Sequence, residues 1–206
     1  GAATIYGLSI QPGSTGFLGD VRNNKVSVTS TGTVYGLFAE YLTNADVVNN
    51  TVVVSTSGTN NGALYYRFGT NSNIYNNSFH SNATGSTNFV GYVYNSAAPQ
   101  MTRVYNNVFS KTNTNGWALY NYNPTFTQSD YNNIYTAAGT NLVQRGTPAY
   151  NGTTLQGWRT TVGQEMNSLT YDPGFTSTTN LVPDPANASS WSLNGRGVHV
   201  AGNNLD

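Results

Sequence analysis

A seven-residue unit recurs five times along the first two thirds of the chain. Asp20-Val21-Arg22-Asn23-Asn24-Lys25-Val26 returns as Asp46-Val47-Val48-Asn49-Asn50-Thr51-Val52 and Asn73-Ile74-Tyr75-Asn76-Asn77-Ser78-Phe79. It returns again as Arg103-Val104-Tyr105-Asn106-Asn107-Val108-Phe109 and Ser129-Asp130-Tyr131-Asn132-Asn133-Ile134-Tyr135. The second Asn recurs at intervals of 26, 27, 30 and 26 residues. Repeats of this period carry no helical or leucine-spaced signature, so ankyrin and leucine-rich architectures are excluded. Apolar positions flank each Asn-Asn pair, and Asn tolerates the left-handed backbone of a sharp bend. A second series of strands lies between the bends, at Thr33–Phe38, Ala63–Tyr66, Phe89–Tyr94 and Trp117–Tyr120; Ala3–Leu8 matches the first of these, so the first coil is entered part-way round. An antiparallel sandwich has no reason to repeat a seven-residue turn five times.

These features predict an all-β chain, a right-handed single-stranded parallel β-helix of about five coils. Coils stack about 4.8 Å apart, so like residues sit above like. Asn24, Asn50, Asn77, Asn107 and Asn133 are expected to form a ladder of side-chain amides that satisfies a buried bend. The longer interval belongs in loops. Coils are expected over residues 1–145, and residues 146–206 form a capping segment of the same domain. That segment holds a short helix near Thr154, with Leu155, Trp158 and Val162 on one face. Trp191–Val198 carries strand-and-turn chemistry. The N-terminal coil has no such cap, which invites a neighbouring module or another copy to dock there.

The D-V-x-N-N-x-V and N-I-Y-N-N-S-F units resemble the coils of right-handed parallel β-helix proteins of the pectate-lyase-like superfamily, over about residues 3–145. Lyases, hydrolases, tailspikes and non-catalytic surface proteins share that unit. The Ser168–Phe175 stretch, S-x-x-x-D-P-x-F, is similar to the end of many bacterial β-helix proteins. The W-S-L-N-G-R-G stretch at 191–197 resembles secreted and cell-surface proteins of Bacteroidetes, which implies export by the type IX route and an extracellular location.

Charge bounds the function. Eight basic and eight acidic residues in 206 leave a net charge of zero. No basic surface exists to displace counterions, so nucleic acid is excluded as a partner. No apolar run is long enough to insert in a membrane. Cysteine is absent, which removes thiol catalysis and Cys-based zinc sites. Acids and histidines form no metal-ligand cluster, and no cofactor motif is present. Asp20 and Asp46 share a column whose other members are Asn73, Arg103 and Ser129, the pattern of a solvated bend. No catalytic residue is assigned. The rival reading is a polysaccharide lyase, for which the resemblance implies Arg67 or Arg103 as base, or a glycoside hydrolase, which needs paired carboxylates; a third is a structural spacer or filament subunit.

Aromatic residues are the richer resource. Tyr75, Tyr105 and Tyr131 stand two residues before the expected ladder Asn in three successive coils. They are the candidate ligand-binding residues, an amphipathic strip for a glycan or cell-surface polymer. Tyr65, Tyr92, Tyr94, Trp117, Tyr120 and Tyr122 offer a second aromatic face. The function expected is a non-catalytic extracellular module acting as adhesin, stalk or glycan-binding platform.

Overall fold

The computed structural model describes residues 3–13, 19–193 and 196–199. Each coil contributes three strands. They are β1 (Ile5–Ile10), β2 (Val21–Arg22) and β3 (Lys25–Ser30), then β4 (Val34–Glu40), β5 (Asp46–Val48) and β6 (Thr51–Thr56). The third coil holds β7 (Gly62–Arg67), β8 (Ser72–Tyr75) and β9 (Ser78–Ser81), and the fourth β10 (Phe89–Tyr94), β11 (Thr102–Tyr105) and β12 (Val108–Lys111). The fifth holds β13 (Trp117–Asn121), β14 (Thr127–Asp130) and β15 (Asn133–Thr136). Strands pair in parallel only with their counterparts one coil away, giving three sheets around one core: β1-β4-β7-β10-β13, β2-β5-β8-β11-β14 and β3-β6-β9-β12-β15. The chain is a parallel β-solenoid of about five turns. Its 30-residue interval takes its extra residues between Tyr94 and Thr102, in the loop joining the first sheet to the second.

Inward positions stack as columns. Val26, Val52, Phe79, Phe109 and Ile134 form one, and Leu8, Leu37, Leu64, Gly91 and Leu119 another. Phe79 and Phe109 stack at 5.4 Å. Burial of such columns supplies the main driving force for folding, at roughly 25 cal/mol per Å² of apolar surface.

The amide ladder exists with one correction. Nδ2 of Asn24 donates to Oδ1 of Asn50 at 2.9 Å, Asn50 to Asn77 at 2.9 Å and Asn77 to Asn107 at 2.9 Å. The fifth rung is Asn132, not Asn133: Asn107 Nδ2 and backbone N–H donate to Asn132 Oδ1 at 3.1 and 2.9 Å. The register explains it. Val104 pairs with Ser129 and Tyr105 with Asp130, so the fifth coil reaches its bend one residue early. Tyr131 takes the left-handed corner that Asn23, Asn49, Asn76 and Asn106 hold in the other coils. Asn133 becomes the first residue of β15, beside Val108. A second amide stack, not foreseen from the sequence, joins Asn61 Nδ2 to Asn88 Oδ1 at 3.0 Å at the corner entering the first sheet.

The C-terminal segment closes the last coil. β16 (Val143–Arg145) continues the first sheet beside β13, and β17 (Tyr150–Gly152) folds back antiparallel. Helix α1 (Leu155–Val162) follows; Thr154 Oγ1 accepts the Gly157 N–H at 3.1 Å, and Gly163 ends the helix at φ 74°. Leu155 and Trp158 are buried against the core, the face expected from their spacing. The chain then completes a sixth bend. The Leu169 N–H donates to Asn132 O at 2.8 Å, and Ser168 Oγ accepts the Asn132 N–H at 2.8 Å, as a ladder amide would. Phe175 lies edge-on to His80 at 6.5 Å. Ala188–Leu193 forms a 3-10 helix rather than a strand, because the Asn187 side chain accepts the Ser189 N–H and starts a tight turn. Asn194 and Gly195 of the 191–197 stretch lie outside the described residues. At the other end β1, β2 and β3 are edge strands of their sheets, and Tyr6 is 42% exposed.

Candidate functional site

The carboxylates come first, because hydrolysis and elimination both need them. Every carboxylate among the described residues is engaged within the fold. Asp20 pairs with Arg22 and accepts the Asp46 N–H at 2.8 Å. Asp46 accepts Asn73 Nδ2 at 2.7 Å and the Tyr75 hydroxyl at 3.1 Å. Glu40 pairs with Arg67. Asp130 accepts the Asn167 N–H at 2.7 Å, Asp172 the Gly174 N–H at 2.9 Å and Asp184 the Ala186 N–H at 2.9 Å. Glu165 is buried among Ser129, Ser168 and Asn132. Asp46 and Asp130, which flank the tyrosines, lie three coils apart, about 14 Å at the strand spacing. A glycosidase pair spans roughly 5 to 9.5 Å. No group of three or more metal-ligating side chains occurs among the described residues.

The histidine in the coils is structural too. His80 Nδ1 meets Ser110 Oγ at 2.6 Å and Nε2 meets Asn82 Oδ1 at 2.9 Å. Burial under the C-terminal segment holds its pKa below the ordinary imidazole value. Arg67 lies over the rings of Phe68, Tyr65 and Phe38. Arg103 stands exposed on β11 and makes no ion pair or hydrogen bond among the described residues.

The three candidate tyrosines come together, though not as a flat strip. Tyr75 and Tyr105 are neighbours in β8 and β11, and the register shift places Asp130 in the third position of their column. Tyr131 sits at the corner instead, its ring perpendicular to that of Tyr105 at 6.4 Å. Tyr75 is only 4% exposed and forms a floor. Burial, with Asp46 beside its hydroxyl, pushes the phenol up to about 12. Burial likewise raises Tyr105. These rings, with Arg103, Asn73 and Val198, line a hollow of about 380 Å³. A neighbouring hollow of about 640 Å³ shares Tyr131 and Val198 and is floored by bend asparagines, among them Asn76 and Asn106. The tail closes this groove by treating a side chain as backbone: Asn106 Nδ2 donates to Val198 O at 2.6 Å, and Oδ1 accepts the Val198 N–H at 2.9 Å.

The second aromatic face is built differently. Phe38, Tyr65, Tyr92 and Tyr120 form one column on the outside of the first sheet. Their rings stack at 4.9, 4.5 and 4.8 Å with planes within 5°. Tyr94 and Tyr122 pack beside them at 4.1 Å, tilted by 33°. Rings packed at the coil spacing cover one another's faces and present edges and hydroxyls to solvent. This face stabilises the sheet through cross-coil pairs. The corner groove differs in that its half-buried Tyr105 and Tyr131 rings are mutually perpendicular, so they do not cover one another face to face.

No family model, no curated protein and no solved structure matches the chain. Among the described residues no helix is long and apolar enough to cross a membrane.

Proposed function

We propose that this chain is a non-catalytic glycan-binding module of a bacterial cell-surface protein, and that the corner groove of Tyr75, Tyr105, Tyr131 and Arg103 is its binding site. The observation that carries the reading is Tyr131. A bulky L-residue at φ 57° costs about 1–2 kcal/mol relative to ordinary backbone. Four other coils use Asn at this corner without that penalty. Strain kept at one position of a repeat, beside a hollow, is the mark of a site rather than of packing. Tyr41, Phe68, Thr87 and Glu165 are also left-handed; Tyr41 and Phe68 repeat in register and stack on each other at 4.9 Å, so packing accounts for that pair, and Glu165 lies in the buried cap junction. The chemistry suits a sugar: aromatic rings for its C–H side, bend amides for its hydroxyls, and one unpaired guanidinium for a carboxylate-bearing unit.

The finer assignments belong to the same proposal. The N-N bends and the D-P-x-F segment support placement in the pectate-lyase-like superfamily, and the W-S-L-N-G-R-G stretch supports a Bacteroidetes surface protein exported by the type IX route. The test is a glycan array probed with the wild type, Tyr105→Ala and Tyr131→Asn. Tyr105→Ala is expected to lose binding with little loss of stability. Tyr131→Asn is expected to lose binding while gaining about 1 kcal/mol of stability from the relaxed corner. Unsaturated products released from a uronic-acid polymer, and abolished by Arg103→Ala, would overturn the non-catalytic reading.

One observation favours the spacer reading as an additional property. The Asn24 Oδ1 accepts no hydrogen bond among the described residues, although each later ladder oxygen accepts two from the coil before it. A coil stacked on β1–β3, from a neighbouring module or another copy, would supply that donor. Concentration-dependent sedimentation that Leu8→Lys abolishes is the expected result.

A further inference from the structure

The first sheet carries a smaller hollow that the corner groove does not use. On its outward face Tyr6 stands beside Tyr35, Tyr35 beside Gly62, Gly62 beside Phe89 and Phe89 beside Trp117. Every rung but the third is aromatic. At the missing rung lies a hollow of about 200 Å³ with Gly62 as its base, Tyr35 and Phe89 at its ends, and Tyr65, Tyr92 and Asn60 along its sides.

Glycine at position 62 is not required by a left-handed φ, and an added Cβ would press on the backbone oxygens of Leu64 at 3.1 Å and Phe89 at 3.4 Å, so the strand must give by a few tenths of an ångström to admit one. The inward glycines of the same sheet are different. A Cβ on Gly36 would strike a Val52 methyl at 2.4 Å, and one on Gly91 the Phe109 ring at 2.5 Å. Packing excludes side chains there, whereas position 62 is crowded only by a few tenths of an ångström. Tyr35 and Phe89 are two coil steps apart, about 10 Å, so the gap is one ring thick. In the adjacent column Tyr65 and Tyr92 stack at 4.5 Å with planes within 2°, which shows how this face accommodates a ring at each step.

The rim is polar and uncharged. Asn60 is exposed, and its side-chain amide makes no hydrogen bond among the described residues. Burial raises the pKa of the Tyr65 and Tyr92 phenols further above the neutral range, so both hydroxyls are uncharged. Arg67, whose guanidinium lies over the Tyr65 ring, is committed to Glu40.

We propose that the empty rung at Gly62 binds one pyranose ring of a neutral glycan, slotted between Tyr35 and Phe89 with its hydroxyls toward the Asn60 amide and the Tyr65 and Tyr92 phenols. The site lies on a different sheet from the corner groove and stands without it.

The test is amide chemical-shift perturbation on ¹⁵N-labelled protein titrated with cellohexaose, xylohexaose, chitohexaose and laminarihexaose, with p-cresol as a purely aromatic probe. At least one oligosaccharide is expected to shift the Gly62 and Asn60 amides saturably. Gly62→Phe completes the ring column; it is expected to abolish those shifts. Gly62→Ala fills less of the slot, and is expected to weaken binding if the larger ring hinders folding. Tyr105→Ala is expected to leave the Gly62 response intact, so failure at one site is distinguishable from failure at the other. Shifts with p-cresol alone, shifts with no sugar, or sugar binding unchanged in both Gly62 variants would overturn the proposal.

Discussion

Lys111 sits in an inward column between Ser81 and Thr136, fully buried, with its ammonium donating only to Ala83 O at 3.4 Å. Burial pulls its pKa from 10.5 to about 8. The side chain is charged in both folded and unfolded chains at pH 7, so the full desolvation cost is present there, about 3 kcal/mol. Between pH 8 and 10.5 the unfolded chain binds more protons than the folded one, so stability rises through that window. Lys111→Met is therefore expected to be more stable than the wild type by about 3 kcal/mol at pH 7, with the gap closing by pH 10.5. Urea denaturation at the two pH values measures it, and equal stabilities at pH 7 would contradict the account. The sequence gives no hint of this residue's position. A lysine ending a strand reads as solvated, and only its stacking beneath Val54 and Ser81 turns it inward.

At the scale of elements, the bend is where sequence and structure agree most and also where they part. The N-N pairs at 23–24, 49–50, 76–77 and 106–107 mark their bends directly, because the first Asn takes the left-handed corner and the second supplies the ladder amide. The fifth pair misleads for the same reason. Asn132-Asn133 looks like the others, but inward Ser129 fixes the register, and the bend falls on Tyr131-Asn132. The tyrosine strip expected from the spacing thus became a concave groove. The Asn61–Asn88 stack was legible in principle, since Gly58 and Gly85 recur 27 residues apart just ahead of those asparagines. An interior rung should cost far more to remove than an end rung. Asn77→Ala leaves the Asn50 amide without its acceptor and removes the side-chain donor to Val47 O and Tyr75 O, a loss of about 3 kcal/mol. Asn24 is partly exposed and donates onward only to Arg22 O and Asn50, so Asn24→Ala is expected to cost about 1 kcal/mol. Chemical denaturation of the two variants side by side checks the ratio. Equal costs would mean that the ladder is not a buried network.

For the whole molecule the scarcity of charge follows from stacking: a charged column would repeat its repulsion about every 4.8 Å. Apart from Glu40, which is paired with Arg67, the described coils bury a carboxylate where the stack ends. Asn132 has no further ladder amide ahead of it, and its Nδ2 donates to Glu165 at 3.2 Å. Ser129 and Ser168 also donate to Glu165, while Arg159 ties the Glu165 and Ser168 carbonyls to helix α1 at 2.7 and 2.6 Å. Glu165 therefore joins the cap to the coils. This junction was invisible in the sequence, because its partners Ser129 and Asn132 lie more than thirty residues upstream. Burial raises the carboxyl from 4.5 to about 6, against the three hydrogen bonds that favour its charged form and with nearby Asp130 adding to the rise. Between those two values the folded chain holds a proton that the unfolded chain has lost. Stability from this group is thus greatest below about pH 4.5 and is lost as pH rises through 6, by about 2 kcal/mol in all. His80 works in the opposite direction, since its lowered pKa makes stability fall as pH drops below the ordinary imidazole value. A single wild-type curve mixes the two; the difference between wild type and Glu165→Gln isolates the carboxyl. Glu165→Gln keeps the shape and a carbonyl acceptor for Asn132, so it is expected to fold. Its stability relative to the wild type should rise by about 2 kcal/mol between pH 4.5 and pH 7. A relative stability that stays flat across that interval would mean that Glu165 does not carry the junction between cap and solenoid.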